Sequence, residues 1–226
     1  LQNSSRTSFY KKFLLYNLNR SSTETILKKG EKKKDFDNES VLGRFKIQLE
    51  NSNVKSNYVL KPDFSWARVN VDKIINQYFS KKFILLFPFC SPQLSHKKWP
   101  YFNDLIKIIK SKNFNFEIAI APGPSEIDGA ETIQSILITK NDKCLNIMEL
   151  SGLISKASYV IANDTGPAHI TAHLGQKGIV LFGHHTTAKK VSIETDKFRA
   201  ISVGDLKDLN ADQVYSEIKG NLESIN

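Results

Sequence analysis

From Lys82 onward, short apolar runs alternate with stretches whose apolar residues recur every three or four positions. FILLFP (83–88), FEIAIA (116–121), ILIT (136–139), SYVIA (158–162), GIVLF up to Phe182 and RAISV (199–203) have the length and composition of buried strands. Over 99–111, Phe102, Leu105, Ile106, Ile108 and Ile109 fall at helical spacing. Further helices are predicted from near Ser125, over 147–157, over 166–174, near 187–193 and after Asn210. Strand and helix alternate throughout, and parallel neighbours need crossovers, so the pattern predicts a doubly wound parallel sheet. Ligands of such a sheet bind outside the carboxyl ends of its strands.

The upstream third is patterned differently. Phe9, Phe13 and Tyr16 recur at helical spacing within 7–19, which predicts a core-facing helix. KKGEKKKDFDNES (28–40) is dense in charge and reads as a surface loop or disordered connection. A helix is expected from near Glu39, an extended stretch over 62–71, and a helix over 72–79. This change of pattern divides the chain into 1–77 and 78–226.

Composition narrows the class. With 226 residues, 40% of them hydrophobic and 24% charged, the chain can build a core without covalent staples. Cys90 and Cys144 form no CxxC pair, which fits a reducing, cytoplasmic setting. No apolar run reaches the roughly 18 residues of a membrane span, and residues 1–10 lack the features of a signal peptide. The chain opens on Leu1 in a stretch patterned like the middle of a fold, so it is read as N-terminally incomplete.

The net charge of +9 is uneven. Residues 1–75 hold 15 Lys/Arg against 8 Asp/Glu, and the remainder 17 against 15. A basic region suits nucleic acid, anionic lipid or a phosphorylated substrate. Helical spacing of the neighbouring aromatics favours packing over base stacking, and the near-neutral remainder argues against a nucleic-acid-binding protein there.

Three loops could carry chemistry. In Asn163-Asp164-Thr165-Gly166-Pro167-Ala168-His169 a strand runs into a helix, with Asp164 or Thr165 as the expected N-cap and Pro167 in the first turn. Gly166 admits a ligand to backbone N–H groups that carry partial positive charge, which suits a diphosphate. A well-capped helix alone would explain Asp, Thr and Pro, but not Gly and His beside them. In CSPQLSHKKWP (90–100), Lys97 and Lys98 follow a strand end and can reach a phosphate, while Trp99 is expected to pack the following helix on the sheet. In APGPSEIDG (121–129), Glu126 either complements a helix N-terminus or accepts from a ribose, and both readings stand open.

The order KKWP, an acidic loop, NDTGPAHITAHLG and VLFG resembles glycosyltransferase family nine, the ADP-heptose:lipopolysaccharide heptosyltransferases. The similarity is strong over 82–185, moderate at 1–17, and thin between. It implies a GT-B α/β fold: a partial N-terminal Rossmann-like domain (1–77) on the acceptor side and a complete C-terminal Rossmann-like domain (78–226) holding the donor. The implied activity is inverting, metal-independent transfer of a heptose from ADP-heptose to a lipopolysaccharide core acceptor, with no cofactor. By this resemblance Lys97 meets the donor diphosphate, Glu126 the nucleoside and Asp164 the donor sugar. Thr165 and Gly166 form the phosphate turn, His169 lies close by, and Arg6 faces the acidic acceptor. The implied partners are a nucleoside-diphosphate sugar and an acidic or lipid-linked saccharide, with peripheral contact at the inner membrane and no nucleic acid.

Two departures stand out. The family's general base is an Asp in an early loop that this chain lacks, so no catalytic residue is identified and the chain is expected to be inactive alone. Its alternative description is a non-catalytic sugar-nucleotide-binding fragment. After Phe182-Gly183 the family continues with a Pro-Thr turn, whereas this chain has His184-His185-Thr186-Thr187. No third ligand accompanies the two histidines, so they are not read as a metal site.

Overall fold

The computed structural model describes residues 5–18, 30, 39–55 and 57–226. Contacts divide the chain into two compact units, Leu1–Pro62 with Lys189–Ser192, and Asp63–Ala188 with Ile193–Asn226. The division falls ahead of the 77/78 boundary read from sequence, because Ala67, Val71 and Ile74 are already buried in the core of the second unit.

The first unit contains α1 (Ser5–Phe13) and α2 (Val41–Asn51). Ser40 caps α2 by accepting the Gly43 N–H. The core-facing role expected of Phe9, Phe13 and Tyr16 is not observed: all three are exposed, and Phe9 and Phe13 pack on each other 4.8 Å apart. An apolar stripe needs a facing layer, and α2 buries none of its own residues. The charged segment 28–40 lies largely outside the described residues.

The second unit opens with a 3₁₀ turn (Ser65–Ala67) in the stretch expected to be extended. Asp63 sets this turn by accepting the Ser65 N–H at 2.8 Å. Then follow α3 (Asp72–Tyr78), β1 (Lys82–Phe87), α4 (Phe102–Ser111), β2 (Phe116–Ile120), α5 (Ile127–Ala130), β3 (Ile136–Leu137), α6 (Ile147–Lys156), β4 (Tyr159–Asn163), α7 (Gly166–His173) and β5 (Gly178–Phe182). The short α8 (Ala188–Val191), β6 (Phe198–Ser202) and α9 (Ala211–Ile225) complete the order. The six strands form one parallel sheet in the order β3-β2-β1-β4-β5-β6.

Central strands buried on both faces explain why the sequence shows apolar runs rather than alternation. Every residue of β4 and β5 is buried. Alternate residues Ile84, Leu86, Ile161, Ile179 and Leu181 share one core cluster with Phe102, Leu105 and Ile109 of α4 and with Val214, Ile218 and Leu222 of α9. α7 packs against α6 and β4. Asn146 and Asn210 begin α6 and α9 with reciprocal caps involving Glu149 and Gln213. At Gly178 a Cβ would lie 2.2 Å from the Val160 carbonyl oxygen, so only glycine permits β5 to start there.

Strand order reverses between β1 and β4, which is the topological switch point of this sheet. Phe87 lies level with Ala162, so the loops after β1 and β4 leave the sheet side by side. Among the described residues, no helix is long and apolar enough to cross a membrane.

Candidate functional site

Asn163, the last residue of β4, is fully buried and ties the two switch-point loops together. Its Oδ1 accepts the Trp99 N–H at 3.1 Å, and its Nδ2 donates to the Pro88 carbonyl at 2.9 Å. Trp99 is itself buried and donates through Nε1 to the Leu209 carbonyl at 2.6 Å. The loop after β1 is thereby fixed at both ends, and the 3₁₀ segment Pro92–Lys97 within it delivers Lys97 to the mouth of β4.

Asp164 receives what these loops deliver. Its side chain is only 3% exposed, and its Oδ2 accepts from Lys97 Nζ at 2.6 Å and from His185 Nε2 at 3.0 Å. His169 Nε2 stands 3.6 Å from Oδ1. Burial by itself would raise the Asp164 pKa, but the nearby His169 and the hydrogen bonds from Lys97 and His185 outweigh it and hold the carboxyl well below the usual carboxylate range. The acid is therefore ionised at neutral pH. His185 is held below the ordinary imidazole value, chiefly by burial and against the pull of Asp164. It is neutral at pH 7, so the hydrogen bond uses its Nε2–H, leaving Nδ1 unprotonated, buried and without a hydrogen-bond partner.

The N-cap expected of Asp164 or Thr165 is not made. Thr165 occupies the cap position, yet no side chain bonds the first turn of α7. The Asp164 carboxylate is engaged by Lys97 and His185, and the Thr165 hydroxyl donates to the Asn163 carbonyl at 3.3 Å. Gly166 has open space where a Cβ would stand. The partial positive end of α7 is thus left to water or a ligand.

Beside this turn lies a cavity of about 270 Å³ whose wall is mainly apolar, with Leu86, Phe89, Ile120, Leu145 and Ile170 among its lining. Thr165, Gly166 and Glu126 also line it. Glu126 Oε2 accepts the Gly123 N–H at 2.7 Å and makes no side-chain cap to α5, so its carboxylate shapes the loop after β2. The helix expected near Ser125 is reduced to the four residues of α5. Lys98 turns away from Asp164, its Nζ 5.5 Å from the centre of the Phe89 ring.

A larger cavity, about 580 Å³, lies elsewhere, against Phe116 and Ile136 at the amino ends of β2 and β3. Its two charged lining residues, Lys110 and Glu117, are each engaged in hydrogen bonds to the fold. Position at the strand carboxyl ends and convergence of charge favour the smaller cavity as the functional one. Among the described residues, no group of His, Cys, Asp and Glu could hold a metal ion.

The structure brings Lys97, Asp164 and His169 together and sets Thr165, Gly166 and Glu126 around the adjoining cavity. Arg6 belongs to α1, but its side chain lies outside the described residues. Sequence reasoning missed the roles of Asn163 and His185. A polar residue closing an apolar strand was the available signal for Asn163, and nothing local marked His185 as a partner of Asp164, 21 residues away.

The model of glycosyltransferase family 9 (heptosyltransferase) matches residues 22–212. The lipopolysaccharide core heptosyltransferase OpsX of Haemophilus influenzae is 30% identical over 132 residues, 56% of this chain and 36% of that protein. The structure of E. coli heptosyltransferase WaaC with ADP is similar with a TM-score of 0.59 at 16% identity, covering 79% of this chain and 55% of that one. For E. coli ADP-heptose lps heptosyltransferase II the TM-score is 0.61 at 15% identity, with 82% and 62% covered. This chain spans about a third of the curated relative and somewhat over half of the two solved ones. At such identities the solved structures bear on the fold, and they share the Rossmann-like α/β architecture of GT-B glycosyltransferases expected from the sequence. With most of its length matched by the family model, the chain belongs to glycosyltransferase family 9.

Proposed function

We propose that this chain carries the donor site of an enzyme that transfers heptose from ADP-heptose to a lipopolysaccharide core acceptor. The observation that carries this reading is the Lys97–Asp164 pair at the switch point, beside both an uncapped helix N-terminus and a largely apolar cavity. A nucleoside fits the cavity, where Glu126 is placed to accept from a ribose. The diphosphate then lies against the first turn of α7, around Thr165 and Gly166, within reach of Lys97. Asp164, with His169 next to it, accepts from a hydroxyl of the sugar.

In this reading the acceptor hydroxyl attacks the anomeric carbon from the side opposite the diphosphate, which inverts that centre. The bond from the anomeric carbon to the phosphate oxygen breaks, and its electron pair goes to the nucleoside diphosphate. Lys97 and the α7 N–H groups meet the charge that develops there, the part a metal ion plays in other transferases. The proton leaves the acceptor for a base, which the family resemblance places in an early loop of the acceptor-side domain. Arg6 and the basic first 75 residues are assigned to the acidic acceptor and to peripheral contact with the cytoplasmic face of the inner membrane.

Calorimetric titration tests the donor site. The unaltered chain should bind ADP and an ADP-sugar, and Lys97→Ala should weaken both by roughly tenfold or more. Asp164→Ala should reduce the advantage of the ADP-sugar over ADP. A folded chain that binds neither ligand would remove the basis for this reading.

A further inference from the structure

The histidine that follows Gly183-His184 stands where the family has a Pro-Thr turn, and it is built into the site. The His185 side chain is 8% exposed, its ring stacks 5.9 Å from Phe182 at 19°, and the His96 ring lies 5.3 Å away. Its Nε2–H and the Lys97 ammonium share one oxygen, Asp164 Oδ2. Nδ1 has no partner, so a second proton there would be a buried, unsatisfied donor. The ring therefore serves Asp164 as a neutral donor.

The sharing matters because two anions compete for Lys97. On the donor-site reading above, an arriving diphosphate draws the ammonium away from Asp164. That transfer would strand a nearly dry carboxylate if Lys97 were its only strong partner. We propose that His185 is a positioning residue that holds Asp164 in place while Lys97 leaves it for the donor diphosphate. A neutral donor suits this role: it satisfies the carboxylate oxygen without adding a second cation to a site that must release the first. His169 stands 3.6 Å from the other oxygen, Oδ1, and its side chain is 35% exposed against 8% for His185, so it does not replace His185 on Oδ2.

The test is a double-mutant cycle read by ADP affinity, using the whole chain and the variants His185→Phe, His185→Gln, Lys97→Ala and His185→Phe/Lys97→Ala. His185→Phe should weaken ADP by roughly tenfold, the scale of one charge-assisted hydrogen bond. His185→Gln, which keeps a donor near the position of Nε2, should recover most of that loss. In the Lys97→Ala background the phenylalanine should have little further effect, because His185 acts by freeing Lys97. A folded His185→Phe chain with unaltered affinity overturns the proposal, as does a loss that persists in full without Lys97 or a glutamine as weak as phenylalanine. Imidazole ¹⁵N spectra of the unaltered chain give a check independent of any variant's folding. The neutral Nε2–H form is expected with and without ADP, and an Nδ1–H or doubly protonated ring contradicts the proposal. Failure of the unaltered chain to bind ADP would instead count against the donor site itself, and the role of His185 would fall with it.

Discussion

Asp164 is an ionised carboxylate in a nearly dry pocket, kept charged by nitrogen groups from two loops and from helix α7. Such a site has a pH signature. His185 and His173 are both held below the ordinary imidazole pKa, burial being the first cause for each. As pH falls below about 6.5, the unfolded chain takes up protons that the folded chain refuses, so stability present above that pH is lost. Asp164, depressed rather than raised in effect, keeps its contribution until pH falls below about 4 and loses it from there downward. Urea midpoints should therefore decline between pH 7.5 and 5, and His185→Gln should flatten part of that decline. A wild-type midpoint that is level across this interval would contradict the described protonation states. Lys97, Asp164 and His169 were legible as candidates because their motif is local and their loops follow strands. The contact of His185 with Asp164 was not, since it exists only once β4 and β5 lie side by side.

At the scale of elements, the site depends on backbone positions that few substitutions tolerate. Replacing Asn163 by leucine would leave the Trp99 N–H and the Pro88 carbonyl without their partner, at a cost of about 2–4 kcal/mol. Because the same bonds fix the loop bearing Lys97, ADP affinity should fall as well. Chemical unfolding and titration of the one variant check both effects, and an unchanged affinity would show that Lys97 is positioned by other means. Gly178→Ala should cost about 2 kcal/mol or more, since its Cβ would press on the Val160 carbonyl oxygen. Gly152→Ala faces the same kind of contact, 2.4 Å from the Val69 carbonyl oxygen. Differential scanning of these alanine variants gives the comparison, and a wild-type melting temperature in Gly178→Ala would contradict the packing described.

The central strands were readable because a parallel strand buried on both faces announces itself as an apolar run. β1 (Lys82–Phe87) and β4 (Tyr159–Asn163) match the expected 83–88 and 158–162 to within one residue at each end. Short elements were harder. The helix near Ser125 shrank to Ile127–Ala130, and ILIT (136–139) became a two-residue edge strand, because loop geometry rather than periodicity sets their length. Helix α1 shows the opposite failure: its aromatic stripe has helical spacing, but spacing does not supply a surface to pack against.

For the molecule as a whole, strand order is what locates function. A sheet that reverses direction of growth between β1 and β4 opens a crevice at their carboxyl ends; Pro88, Lys97 and Asp164 lie on loops that leave there, and Gly166 opens α7 beside them. That order could be expected as a class from alternating strands and helices, but the pairing of β1 with β4 is a long-range fact. The competing location is the larger cavity at the amino ends of β2 and β3. Photolabelling with an azido-ADP, followed by peptide mapping, separates the two. Saturable labelling, suppressed by excess ADP, is expected on peptides carrying Phe89, Pro122, Leu145 or Ile170. Saturable labelling confined to Asn113–Phe116 and Ile133–Ile136 would contradict it.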